Sequence, residues 1–217
     1  DEEKVTRPGG RNTPKLSQKR VKTMILYLVR HGQSEGNVKR YFHGQTDYPL
    51  TALGREQARE VAEKLKDAKF TRCCTSDLQR AHQTALACLE YHKDVTAEIV
   101  TDLREHFVGD MEDLPWEEAE RRYPGLPDRF IKDWFHTVPP GGEDPQDMLI
   151  RVGRCIDAII ERGEDTLIAS HFGTMSLIAV HLGIMTEAEI IEKGFGQGCY
   201  TAVEITPDGA KLLALNR

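Results

Sequence analysis

Met24-Ile25-Leu26-Tyr27-Leu28-Val29-Arg30-His31-Gly32 sets the reading of everything around it. Six apolar residues run without a break and stop at an arginine. So short a run, rich in branched side chains, has the pattern of a strand buried on both faces of a parallel sheet. In open α/β sheets ligands bind beyond the carboxyl ends of the strands. An arginine and a histidine at that point, followed by glycine, imply chemistry on an anion. A second stretch repeats the pattern: Asp165-Thr166-Leu167-Ile168-Ala169-Ser170, then His171-Phe172-Gly173. If the two strands are parallel neighbours, their histidines converge.

The segments between them alternate. Residues 31–50 are expected to be a polar loop, and residues 52–67 a helix with Thr51 as N-cap and Leu53, Ala58, Val61, Ala62 and Leu65 as its apolar stripe. Residues 70–75 form a short strand, with Cys73 and Cys74 pointing to opposite faces. Ser76-Asp77-Leu78-Gln79 has the form of a capping box for the next helix. That box puts Arg80 in the first turn, where the helix dipole favours an anion and an arginine does nothing for helix stability. Further strands are expected near 98–100, 199–205 and 210–215. Helices are expected from Pro145, capped by Asp144, to near Gly163, and over about 174–182. Residues 107–145 break the alternation with five prolines before Pro145 and both tryptophans, which marks them as a lid or specificity insertion. Trp116, Tyr123, Trp134 and Phe135 are expected to form the insertion's own small core. The fold class is α/β: three α/β/α layers around a mostly parallel sheet.

Arg30, His31, Arg80 and His171 around one point would make a pocket for a tetrahedral dianion. Arginine binds phosphate oxygens bidentately, which lysine cannot do. Neutral imidazole is a competent nucleophile toward phosphorus, and neighbouring guanidinium groups disfavour its protonated form. Phosphoryl transfer also needs a proton for the leaving oxygen. Glu105 follows a strand end within Leu103-Arg104-Glu105-His106-Phe107 and is the natural donor. His43, in the loop just before Gly44, is the remaining histidine expected near the substrate.

The chain resembles the histidine phosphatase superfamily in its phosphoglycerate mutase-like branch. The resemblance rests on Leu28 to Asn37, Asp47 to Gly54, Thr75-Ser76-Asp77-Leu78-Gln79-Arg80-Ala81, Leu103-Arg104-Glu105, Pro140-Gly141-Gly142-Glu143 and Ser170-His171. It implies a phosphoglycerate mutase-like fold and His31 as a nucleophile that becomes a phosphohistidine. It implies Arg30, Arg80 and His171 as a phosphate clamp supported by Asn37, with Glu105 as acid and then base. Ser34, His43, Gly44 and Phe172 complete the expected substrate-binding set, and neither a metal nor a cofactor is implied. Gly36 stands where glycolytic mutases carry tryptophan, the Glu105–His171 interval is shorter than theirs, and Phe172 replaces a second glycine after the late histidine. Hydrolysis of a small phosphorylated metabolite is therefore favoured. The alternatives are a phosphoglycerate or bisphosphoglycerate mutase, with Arg121-Arg122 as a carboxylate clamp, and a module that only binds phosphate.

Length and composition agree with an enzyme of this kind. A chain of 217 residues, 39% hydrophobic and 29% charged, fits one domain over residues 23–217. A net charge of −6 argues against a nucleic-acid surface. No apolar stretch approaches a membrane span, and no signal-peptide pattern is present. Five cysteines without a C-x-x-C spacing suggest a reducing compartment, hence the cytoplasm. Residues 1–22 carry a net +4 with Pro8-Gly9-Gly10 and no apolar period, the pattern of a disordered basic tail, a trimmed targeting segment or an arm for an anionic partner. Monomer and homodimer are both compatible with the sequence.

Overall fold

A computed structural model describes residues 22–217; the basic segment lies outside them except for Lys22. The elements in order are β1 (Met24–Arg30), α1 (Glu35–Lys39), β2 (Tyr41–Phe42), α2 (Ala52–Leu65), β3 (Arg72–Thr75), α3 (Gln79–Leu89), β4 (Ala97–Ile99), β5 (Leu114–Pro115), α4 (Trp116–Arg122), α5 (Leu126–Lys132), α6 (Pro145–Ile160), β6 (Thr166–Ser170), α7 (Phe172–His181), α8 (Glu187–Lys193), β7 (Tyr200–Thr206) and β8 (Gly209–Ala214). Six strands form one sheet in the order β4-β3-β6-β1-β7-β8. The first four are parallel, and β7 is antiparallel to both β1 and β8.

Strand alternation divides the core into two layers. Leu26, Leu28, Cys74, Ile168 and Val203 pack against α6 and α7, whereas Val29, Cys73, Leu167 and Ala169 pack against α2 and α3. Cys73 and Cys74 therefore do face opposite ways, as their adjacency on a strand requires. Both faces of β1 and β6 are covered, which explains why these strands are uninterrupted apolar runs. In register, Arg30 is the partner of Ser170. The residue after each is a histidine, so this register sets the site.

Several local expectations are corrected. Residues 31–50 are not all loop: α1 starts at Glu35, capped by Ser34. The helix after β3 starts at Gln79, not at Ser76. Asp47, 32 residues away, accepts from Gln79 N at 2.7 Å, and Ser76 Oγ only closes a turn with Leu78 N. The helix after β6 begins two residues early, at Phe172. Leu53, assigned to the buried stripe of α2, is exposed. The ribbon β2–β5 and helix α8 have no counterpart in the sequence reading.

Residues 107–145 carry β5, α4 and α5 over the carboxyl end of the sheet's neighbourhood, with Phe42, Val108, Met111, Ala119, Leu126 and Phe130 as a separate apolar cluster. The four-aromatic core expected there does not form. Trp116 stacks on Phe42 near the surface, Tyr123 and Trp134 only flank the cluster, and Phe135 is drawn into the main core. No helix of the described residues is long and apolar enough to cross a membrane.

Candidate active site

The ends of β1 and β6 deliver His31 and His171 side by side, with ring centroids 5.2 Å apart. Both are essentially buried. His31 Nδ1 lies 2.7 Å from the Gly32 carbonyl, so Nδ1 carries the proton and Nε2 the lone pair. His171 has no hydrogen-bond partner on either nitrogen among the described residues. Both nitrogens of this buried ring are thus available to a ligand.

Arg80 enters from the first turn of α3 and is 1% exposed. Its two terminal nitrogens donate to the carbonyls of Thr46 (2.9 Å) and Gly44 (2.7 Å), and its Nε is unpartnered. Arg30 donates through Nη1 to the Phe195 carbonyl, and its Nε is likewise unpartnered. Among the described residues neither guanidinium has a carboxylate in salt-bridge contact. A buried charge without a counter-ion costs several kcal/mol. Two such charges beside the partnerless His171 and the free Nε2 of His31 make a built anion site. Burial pushes the His31 pKa well below its ordinary value, reinforced by the positive charges of Arg80 and then Arg30. His171 is pushed the same way by burial, Arg80 and His31. Both rings are therefore neutral at physiological pH.

Glu105 stands at the edge of the same site. Its Oε1 accepts from His106 N at 2.8 Å and its Oε2 from Gly173 N at 3.1 Å. Gly173 is the second residue of α7, so the carboxylate closes that helix N-terminus. Any side chain there would push the carboxylate away: a Cβ at Gly173 would lie 2.3 Å from Glu105 Oε1. The Glu105 charge partly offsets the effect of burial on Arg30 and Arg80, so it lies within electrostatic reach of both.

A cleft of about 410 Å³ opens from this point. Glu105, His43 and Gly44 border its polar side, and Phe130, Trp134 and Phe172 its aromatic side. Phe172 also covers the Arg30 guanidinium, with Cζ 5.1 Å from the ring centre, a cation–π contact. Asn37 is one step removed: its Nδ2 reaches His43 Nε2 at 3.3 Å. Ser34 is engaged locally. Its side chain is completely buried, its Oγ donates to Asn37 Oδ1 at 2.9 Å, and it accepts from Asn37 N as the cap of α1. Its hydroxyl is spent on the side chain and backbone of Asn37 and does not border the cleft. Arg121 and Arg122 are also spent, both on Glu118 at the surface of α4. They do not form a carboxylate clamp.

Sequence reasoning missed Glu112. Its carboxylate accepts from Gln45 N (2.8 Å), Thr46 N (2.9 Å), Thr46 Oγ1 (2.5 Å) and Val108 N (3.2 Å). It therefore holds the loop whose carbonyls hold Arg80. No local pattern marks an acid in that irregular segment.

The family model of the histidine phosphatase superfamily (branch 1) matches residues 26–217. The chain belongs to the histidine phosphatase superfamily. The adenosylcobalamin/alpha-ribazole phosphatase of Salmonella typhimurium is 36% identical over 200 residues, covering 89% of this chain and 96% of that protein. The crystal structure of the alpha-ribazole phosphatase from Shigella flexneri matches with a TM-score of 0.80 at 34% identity, again over 89% of this chain and 96% of that one. A 2,3-bisphosphoglycerate-dependent phosphoglycerate mutase from a Methylobacterium species is 35% identical over 172 residues, a smaller share at 75% of this chain and 83% of that protein. This histidine phosphatase is a phosphatase with the phosphoglycerate mutase-like fold. Gly36 fits that choice over the mutases. A Cβ there would lie 2.6 Å from the Tyr48 ring and 2.8 Å from His43, so a tryptophan would displace the cleft's own histidine.

Proposed function

We propose that this phosphatase works through a phosphohistidine on His31, without a metal ion. The observation that carries the reading is the pair of imidazoles 5.2 Å apart beside two guanidinium groups that lack carboxylate partners. His31 Nε2 attacks phosphorus and forms an N–P bond as the P–O bond to the leaving group breaks. Arg30 and Arg80 neutralise the charge on the phosphoryl oxygens, and His171 donates to one of them. Glu105 in its acid form gives its proton to the leaving oxygen. The resulting carboxylate then takes a proton from the water that attacks the phosphohistidine, releasing inorganic phosphate and regenerating neutral His31.

The leaving group occupies the cleft bounded by Phe130, Trp134 and Phe172. That aromatic wall suits a substrate with a flat apolar portion. An alpha-ribazole phosphate, the compound class for which the relatives are named, is the first candidate. His43, Gly44 and Phe172 are assigned to substrate contact, and Asn37 to holding His43. The five cysteines are free and four are buried, which supports a reducing compartment such as the cytoplasm.

Rapid mixing with a phosphorus-labelled substrate, followed by denaturation, tests the chemistry. An acid-labile, base-stable label that disappears in His31→Ala is the expected result. A His31→Ala protein with full activity overturns the mechanism. Phosphate release from alpha-ribazole 5′-phosphate, run beside a 3-phosphoglycerate mutase assay, tests the substrate assignment.

A further inference from the structure

The segment Asp102 to His106 carries Glu105, and it is held from outside by a pair of residues with no place in the chemistry above. Arg151, on α6, donates through Nε and Nη2 to both carboxylate oxygens of Glu143, each at 2.8 Å. Its remaining nitrogen, Nη1, reaches the carbonyls of Asp102 (2.6 Å) and Arg104 (3.2 Å). The Arg104 carbonyl also accepts from Thr174 Oγ1 at 2.7 Å, and the Leu103 carbonyl from Ser170 Oγ at 2.8 Å. On the other side of Glu105, His106 Nε2 donates to the Glu143 carbonyl at 2.7 Å, while Glu143 N donates to the Phe107 carbonyl at 2.9 Å. Glu143 thus joins the two flanks of Glu105. The pair is largely buried, with side chains 18–19% exposed. A bidentate pair of this geometry fixes both partners in angle as well as distance.

We propose that Arg151 and Glu143 are positioning residues for Glu105: together they set where its carboxylate meets the leaving oxygen. The proposal rests on Glu105 being the proton donor. It follows from an asymmetry in the contacts. The hydrogen bonds of the Arg151 guanidinium all end on the acid-bearing loop or on Glu143, and neither residue borders the cleft or bonds to His31, His171, Arg30 or Arg80. The pair therefore has no route to the phosphoryl oxygens except through the Glu105 loop. Its loss should be felt in proton donation and not in phosphate binding.

The experiment compares kcat/KM for an alkyl phosphate, whose leaving group needs a proton, with that for p-nitrophenyl phosphate, whose leaving group does not. General acid catalysis contributes about 10²- to 10⁴-fold, so Arg151→Gln should lose about 10- to 100-fold on the alkyl phosphate and about threefold or less on the aryl one. KM for the aryl substrate and inhibition by inorganic phosphate should be little changed. Added to Glu105→Gln, Arg151→Gln should cost nothing further on the alkyl phosphate, because the group it positions is already gone. Arg151→Lys should fall between, and free guanidinium should partly restore Arg151→Gly. If Arg151→Gln does not fold, Thr174→Val removes the opposite anchor on the same Arg104 carbonyl and should give the same substrate-dependent loss. Equal losses on both substrates, or additive losses with Glu105→Gln, overturn the positioning role. Equal losses on both substrates in Glu105→Gln itself overturn the donor assignment and the positioning role with it.

Discussion

Gly173→Ala should disable Glu105 while leaving the fold standing. A methyl at this position would lie 2.3 Å from Glu105 Oε1 and 3.3 Å from its Cδ, where ordinary contact begins near 3.4 Å. Gly173 does not have a positive φ, and it sits inside α7, so its backbone accepts alanine without strain. The obstructing atoms are the end of one side chain, so the carboxylate retreats by about 1 Å, a misplacement that costs on the order of 10²-fold in rate. At 1.36 kcal/mol per factor of ten, that is about 2.7 kcal/mol of barrier. Stability moves far less. Alanine gains up to about 1 kcal/mol of helix propensity over glycine. The displaced bond from Gly173 N to Glu105 Oε2 is worth about 1 kcal/mol in the other direction. Urea unfolding of Gly173→Ala should therefore match the parent within about 1 kcal/mol. Its kcat/KM on an alkyl phosphate should fall about 100-fold, with a smaller loss on p-nitrophenyl phosphate. Parent-like turnover of the alkyl phosphate by folded Gly173→Ala would show that Glu105, where it stands, is not the proton donor.

Three further outcomes are expected. Arg80→Lys loses the bonds to the Thr46 and Gly44 carbonyls and the bidentate face offered to phosphate, so competitive inhibition by inorganic phosphate should weaken about 10- to 100-fold; unchanged inhibition removes Arg80 from the anion site. Ser34→Ala breaks the cap of α1 and should cost about 1 kcal/mol in urea unfolding while kcat/KM stays within about threefold; a large loss of activity in a stable protein would return Ser34 to the substrate. His31 and His171 have folded-state pKa values pushed below their unfolded value near 6.5, so on acidification the unfolded chain binds protons that the folded chain refuses. Stability contributed by these two rings is complete above about pH 6.5 and falls below it, by about 1.4 kcal/mol per pH unit for each. In phosphate-free buffer between pH 6.5 and 5, His171→Gln should show a shallower fall than the parent, and an identical slope would contradict the burial of a neutral ring.

Local sequence determined a good part of this protein. The two apolar runs ending in Arg30-His31 and Ser170-His171 specify their own strands, because burial on both faces requires residues with no polar alternation. Thr51 and Asp144 specify helix starts, since a cap depends on groups two or three residues away. Arg80 was legible for the same reason: a cation in a helix's first turn is locally mismatched. Tertiary structure decided the rest. The Arg30–Ser170 register, which no stretch of chain contains, brings the two histidines together. Asp47 displaced Ser76 as the cap of α3 because folding places it there from 32 residues away. The hydroxyl of Ser34 had a local partner in Asn37, and only the folded loop shows that this partner consumes it. Glu105 acquires its position from Gly173, 68 residues later, and the cleft wall is assembled from Phe130, Trp134 and Phe172 on separate elements. A side chain's type limits the bonds it can make, but which bond it makes depends on what long-range packing brings within about 3 Å.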